Sequence, residues 1–371
     1  MTGNGLSRQI ISDYSQERAS WLENHHLPQW VYGTFIAPAD GTYTFETLGD
    51  KDYSDDYHQP MKIETYGYLT LEVYTAAANA SASNPLYGLA GISTAPALSG
   101  NLIYAVNNAD ANNTLTVRQV SLPAMTGDLL RILSADTANY IAPSCTSDYP
   151  DDIFVNENVF SLGSVQDVVT LSTENLVPQL FQMTHSLDGV VAAQSSGTAN
   201  ISMMAYGDTD CIGEQNNNTA DNLQVMRFSQ QQPTYRLMDT QDITMQSGIS
   251  QAFGSTWVTV LQGTVKGKRG DIVRATAVSQ LIWTSGTLGL SPAECYNVIV
   301  VPGVGLSPYA TQGLSSNYNE AQLDNTYAFT LLADGTYTFM TQVSCSNPTG
   351  AVFTVNSSGV HMWLDHFSSN F

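Results

Sequence analysis

The chain is 371 residues long and carries 12 Lys and Arg against 33 Asp and Glu, a formal charge of −21, yet only 12% of its residues are charged. Proteins that neutralise phosphates need clustered cations, so this composition argues against DNA, RNA and anionic membranes as partners, while the length predicts two or three domains. Ser, Thr, Asn, Gly and Tyr fill the polar positions in place of Lys and Glu, which favours strands over helices and predicts an all-β protein.

No stretch approaches the roughly 20 apolar residues of a membrane helix. The start, Met1-Thr-Gly-Asn-Gly-Leu-Ser, lacks a basic segment followed by an apolar run, so a soluble chain without an export signal is expected. Cys145, Cys211, Cys295 and Cys345 show no C-x-x-C spacing. That pattern indicates neither a zinc site nor a redox motif, and four buried free thiols are expected.

Along the chain, residues 7 to 24 predict a helix: Ser7 stands at its start, Ile10, Ile11, Tyr14, Trp21 and Leu22 recur near helical spacing, and Pro28 follows. It reads as an N-terminal arm packed on the neighbouring domain or on a partner subunit. His25 and His26 follow its negative end. From Val31 the apolar period becomes two. Ile63, Thr65, Gly67, Leu69, Leu71 and Val73 predict a strand with one face toward a core. Further strands are predicted at 31 to 36, 42 to 47, 102 to 106, 114 to 121, 167 to 172, 256 to 265, 271 to 283, 296 to 301, 326 to 332, 336 to 343 and 351 to 355. The predicted architecture is all-β, two or three jelly-roll or β-sandwich domains preceded by a short N-terminal helix. Boundaries fall near 30, 150 and 250, giving a helical arm (1–30), a sandwich (31–150), a β-rich middle domain (151–250) and a C-terminal sandwich (251–371).

One heptapeptide occurs twice, as Ala39-Asp-Gly41-Thr-Tyr43-Thr-Phe45 and as Ala333-Asp-Gly335-Thr-Tyr337-Thr-Phe339. Each copy reads as an Asp-Gly turn entering a strand with Tyr and Phe on one face, so two related sandwiches are expected. The longer string Phe35-Ile-Ala37-Pro38-Ala-Asp-Gly41-Thr-Tyr43-Thr-Phe45 resembles the F-x-A-P-x-x-G-x-Y-x-F element of the jelly-roll superfamily that contains tumour necrosis factor and the complement-type collagen heads. Lys268-Arg269-Gly270-Asp271-Ile272-Val273 resembles the K-G-D-x-V turn of the same superfamily, although here it precedes the G-x-Y-x-F strand. The order of elements is also similar to β-sandwich modules of bacteriophage virion proteins. This resemblance implies a structural subunit on a particle exterior, often trimeric: a decoration or cement protein, or a head or tail fibre. It implies assembly in the host cytoplasm, and contacts with itself and with other capsid or tail proteins. A different class, a glycan- or receptor-binding adhesin, uses the same sandwich with exposed Tyr and Trp lining a groove.

Few residues point to chemistry, and no catalytic residue is assigned. Asp50, Asp52, Asp55 and Asp56 cluster after the first Gly-x-Tyr-x-Phe strand, and with the loop of Asp148, Asp151 and Asp152 they offer hard oxygens for Ca2+. Asp208-Thr-Asp210-Cys-Ile212-Gly213 begins like an EF-hand loop but puts Ile212 and Thr219 at ligand positions, so it is rejected. His361, Asp365 and His366 lack the spacing of a metal pair. Lys266, Lys268, Arg269 and Arg274 form the one basic cluster of an acidic chain, predicted at a hairpin tip and suited to an acidic face of a neighbouring subunit.

Overall fold

A computed structural model describes residues 40–45, 71, 73 and, with interruptions, 87–369. The predicted helix of 7–24 lies outside these residues, as do Asp50, Asp52, Asp55, Asp56, Asp148, Asp151 and Cys145. Among the described residues the chain is all strand, without a helix.

Eight strands recur twice in the same order. The first set is β1 (Gly88–Thr94), β3 (Leu115–Ala124), β4 (Leu129–Tyr140), β5 (Asp152–Leu162), β6 (Val165–Asn175), β7 (Gln182–Ala192), β8 (Gly197–Asp208) and β10 (Asn222–Ser229), with a short pair β2 (Leu102–Ala105) and β9 (Ile212–Gln215). The second is β11 (Arg236–Thr244), β13 (Val258–Gly267), β14 (Ile272–Ser285), β15 (Ala293–Val301), β17 (Ala310–Leu314), β18 (Glu320–Thr330), β19 (Gly335–Cys345) and β20 (Val352–Ser368), with β12 (Ile249–Gln251) and β16 (Gly305–Leu306) as additions. In the first repeat β1-β10-β4-β7 form one sheet order and β3-β8-β5-β6 the other; in the second β11-β20-β14-β18 and β13-β19-β15-β17 match them strand for strand. Counted within a repeat, each set reads first-eighth-third-sixth over second-seventh-fourth-fifth, the connectivity of a jelly roll. That connectivity hosts many unrelated functions and does not single out the tumour necrosis factor superfamily.

The correspondence extends to register. Ala124 faces Gly197 where Gly267 faces Gly335, Leu129 faces Ala192 where Ile272 faces Thr330, and Phe228 faces Leu129 where Phe367 faces Ile272. Even the bulges coincide: Leu89/Gly91 with Leu237/Asp239, and Thr116/Arg118 with Thr259/Leu261. Bulges bend a strand at a fixed place, so shared bulges mark a shared framework. The heptapeptide is not the unit of this duplication. Its second copy opens β19, whereas the matched strand β8 opens on Gly197-Thr198-Ala199. Around the first copy Tyr43 and Phe45 are half-buried and Thr42 and Thr44 exposed, the alternation predicted; in the second, Phe339 is fully buried and the Tyr337 hydroxyl closes on Ala333, donating to its carbonyl at 2.7 Å and accepting from its N–H at 2.9 Å.

Each repeat encloses its own core. Val120, Leu122, Ile201 and Met203 from one sheet meet Leu130, Ile132, Leu223 and Val225 from the other; in the second repeat Val265, Ile299, Phe339 and Val343 meet Val273, Ala275, Leu281, Phe329 and Leu364. A third cluster joins the repeats: Leu89, Leu133 and Met226 of the first pack on Ile272, Ala328 and Phe367 of the second. Strand β7 also pairs with β17, so the two sheets that contain them run on as one of eleven strands. Leu71 and Val73, the end of the apolar stripe predicted to face a core, are instead 51% and 82% exposed.

Cys295 and Cys345 are not free thiols. They face each other across β15 and β19 and form a disulfide buried at 0% exposure. The spacing that excluded metal and redox motifs carries no information on a cross-strand bond, which depends on register. The bond closes a loop across 50 positions, which constrains the unfolded chain. A Cys295→Ser, Cys345→Ser double variant is expected to lose about 2–5 kcal/mol of stability. Urea unfolding with and without reductant checks this; equal midpoints for the variant and the oxidised parent would refute it.

Candidate functional site

Both repeats cross from one sheet to the other through the same four-residue turn, Met125-Thr-Gly-Asp128 and Lys268-Arg-Gly-Asp271. The Asp N–H donates to the first residue's carbonyl (2.9 and 3.0 Å) and the first residue's N–H donates to Asp Oδ2 (2.9 and 2.8 Å). Gly127 and Gly270 both hold φ near +87°, a conformation that costs other residues about 1 kcal/mol or more. The neighbouring contacts are duplicated too. Gly127 and Gly270 donate to the carbonyls of Ala193 and Leu331 (2.8 Å each), whose own N–H groups return bonds to Asp128 and Asp271. Thr126 N–H reaches Ser196 Oγ and Arg269 N–H reaches Asp334 Oδ1, both at 2.9 Å.

The carboxylates below these turns are buried, Asp128 at 2% and Asp271 at 1% exposure. Each faces a basic side chain from the eighth strand at matched positions: Arg227 Nε lies 3.9 Å from Asp128, and His366 Nε2 lies 2.8 Å from Asp271. Ser368 Oγ donates to the other oxygen of Asp271 at 2.6 Å. Burial alone would raise the Asp271 pKa, but the hydrogen bonds from Ser368, the Lys268 N–H and His366 outweigh it and hold the pKa below the 3.8 of a free aspartate. Ser, His and Asp therefore meet, but Ser368 bonds to the carboxylate and not to the imidazole, so they lack the relay of a nucleophilic triad.

The predicted basic cluster divides. Lys266, Lys268 and Arg269 are exposed at the inter-sheet turn, which is not a hairpin tip because β13 and β14 lie in different sheets. Arg274 is 6% exposed and forms a buried ion pair with Asp365, whose other oxygen accepts from Thr240 Oγ1 at 2.5 Å. The matched residue of the first repeat, Arg131, pairs with Asp188, donating from Nε at 2.7 Å. The three residues His361, Asp365 and His366 also part: His361 stacks on Trp363 (centroids 5.3 Å apart), Asp365 holds Arg274 and His366 holds Asp271. Among the described residues no group of three or more His, Cys, Asp or Glu could hold a metal ion.

An aromatic cluster lies on the outer face of the second repeat. Trp257 stacks on Tyr309 with centroids 5.5 Å apart, and Tyr296 lies 6.4 Å from each. Tyr296 faces outward because Cys295 beside it enters the core, and its hydroxyl donates to Glu294. Burial and that carboxylate both raise the Tyr296 pKa. Sequence reading expected exposed aromatics in an adhesin without locating them. Trp257 lies 39 positions before Tyr296 and Tyr309 13 after it, and strand pairing brings the three together.

No protein-family model and no curated protein matches the chain. Among solved structures, an infectious bursal disease virus particle aligns at 9% identity with TM-score 0.23 (79% of this chain, 77% of that one), and the mavirus major capsid protein at 9% with TM-score 0.13 (89% and 93%). The tandem CBM22 domains of Paenibacillus barcinonensis Xyn10C align at 10% with TM-score 0.19 (76% and 98%).

Replacing Asp271 by Asn is expected to cost about 2–3 kcal/mol, because the amide presents a donor where the site supplies donors. Since the folded pKa lies below the unfolded one, the Asp271 contribution is complete above the unfolded value and disappears as pH falls through the folded one. Parent and Asp271→Asn should thus converge in stability in strong acid. A constant gap between their urea midpoints down to the lowest pH would refute the assignment. Asp365→Ala, which removes the carboxylate facing the buried Arg274 guanidinium, should cost about 3–5 kcal/mol in the same assay.

Proposed function

We propose that this protein is a non-enzymatic structural protein of a virion exterior, a decoration or cement protein or a fibre subunit, working through subunit association. The observation that carries the reading is the seam between the repeats: two jelly rolls joined through the outer faces of their sheets, so that a sheet face already serves as an association surface within one chain. The chain's resources go into framework: two matched inter-sheet turns, two buried Arg–Asp pairs and a buried disulfide. Disulfides persist on virion and cell surfaces, so the bond suits an exterior position. The charge of −21 disfavours a genome-lining surface.

On this reading the chain assembles with itself as a homotrimer and with other capsid or tail proteins. The exposed Lys266, Lys268 and Arg269 meet an acidic face of the neighbouring subunit. Ca2+ held by Asp50, Asp52, Asp55 and Asp56 belongs to the same proposal.

Light-scattering chromatography with and without EDTA tests both parts. A trimer that the double variant Lys268→Glu, Arg269→Glu converts to monomer supports the contact, and loss of the trimer in EDTA supports the metal. A monomer at every concentration and in the presence of particles would overturn the association reading. A trimer indifferent to the charge reversal would remove the basic turn from it.

A further inference from the structure

We propose that the outer face of the β13-β19-β15-β17 sheet, centred on Trp257, Tyr296 and Tyr309, is a binding site for a neutral oligosaccharide. Three features of the face lead there, and none depends on the virion reading. The first is its chemistry. Trp257 remains 37% exposed although two tyrosines pack around it, and Tyr296 holds the Glu294 carboxylate at the edge of the rings. On the same face Gln342 Nε2 donates to Thr259 Oγ1 at 3.1 Å in an exposed pair. A pyranose offers an apolar C–H surface on its ring face and hydroxyls around its rim. Flat aromatics beside a carboxylate, an amide and a hydroxyl match both parts.

The second feature is rigidity beneath the rings. Cys295, between Glu294 and Tyr296, is bonded to Cys345 on the next strand. Tyr309 follows a loop pinned from inside: the buried Ser307 donates its N–H to the Ile299 carbonyl (2.8 Å) and accepts from the Ile299 N–H (2.9 Å), while Asn325 Nδ2 donates to Ser307 Oγ (2.9 Å) and to the Pro308 carbonyl (2.7 Å). Rings fixed before binding lose little entropy on it.

The third is the contrast with the first repeat, which builds the same sheet without these residues. At the register positions of Tyr296 and Glu294 stand Val155 and Ile153, and at those of Cys295 and Cys345 stand Phe154 and Gly207. The framework therefore does not require Glu294, Tyr296 or the disulfide at these positions, although the first repeat sets Tyr206 at the position of Ser344. Glu294 and the acidic chain disfavour anionic sugars, which makes the ligand neutral.

The test is calorimetric titration of the full chain with maltohexaose, cellohexaose, laminarihexaose and chitohexaose, with a heparin hexasaccharide as anionic control. At least one neutral hexasaccharide should bind with a dissociation constant of about 1 mM or tighter. Trp257→Ala should weaken it at least about tenfold, as should Glu294→Gln, which leaves the aromatic packing in place; thermal unfolding of each variant separates lost binding from lost folding. Failure of all four neutral sugars to bind the parent would overturn the proposal, as would undiminished binding by Glu294→Gln and a folded Trp257→Ala, or preferential binding of the heparin fragment.

Discussion

A buried carboxylate at the point where the chain leaves one sheet for the other is the constraint on which each repeat is built. Asp128 and Asp271 each accept from the turn's first N–H, and each donates its own N–H to the first carbonyl. Their carbonyls accept from Ala193 and Leu331, at the exit of the sixth strand. One residue thus ties the second and third strands to the connection between the sixth and seventh. Register along all four follows, since a slip of one residue would turn every core side chain outward. Gly127 and Gly270 supply the positive φ that lets four residues make the crossing.

The seam imposes the second constraint. Because the two repeats pack through outer sheet faces, several strands are buried on both sides: Ile272–Leu281 is buried at every position, and Asn222–Met226 likewise. Polar groups caught there are costly unless paired, and although Asn222 Nδ2 finds no partner among the described residues, its neighbours do. Gln224 solves this by lying along β18, its amide donating to the Ala328 carbonyl at 3.1 Å and accepting from the Ala328 N–H at 2.9 Å, as another strand would. The Arg131–Asp188 and Arg274–Asp365 pairs satisfy charges that would be costly if single. Phe228 and Phe367, equivalent residues of the two repeats, meet edge to face with centroids 6.0 Å apart.

Where the repeats differ, the framework is not what decides the residue. His366 stands in place of Arg227, the disulfide in place of Phe154 and Gly207, and the ring cluster over β15 in place of Val155. In the second repeat His366 lies at the Lys268–Asp271 turn, whereas the disulfide and the rings lie at the other end of β13 and β19. A duplicated fold leaves one copy free to keep structure while the other varies, and function resides in such grafted sites.

The sequence by itself determined the all-β class, several of the strands such as β13, β14, β15 and β19, and the Gly270-Asp271 turn, because period-two alternation and turn residues are local properties. It also contained the duplication in fragments: Pro85-Leu-Tyr87-Gly-Leu89 against Pro233-Thr-Tyr235-Arg-Leu237, Gly127-Asp-Leu-Leu-Arg131 against Gly270-Asp-Ile-Val-Arg274, and Arg227-Phe-Ser229 against His366-Phe-Ser368. These are short and separated by unequal insertions, so the letter-for-letter heptapeptide outweighed them although it is not the structural repeat. Strands β4 and β10 went unpredicted, but burial of both faces at the seam is not the whole reason: β14, buried on both sides, is predicted at 271 to 283, whereas β11, largely exposed, is not. Only the tertiary structure decided that Arg274 is buried while Lys268 and Arg269 are exposed, that Cys295 meets Cys345, and that Trp257, Tyr296 and Tyr309 share one surface. Each depends on which strands become neighbours and in what register, and antiparallel pairing between distant segments leaves no local periodicity to read.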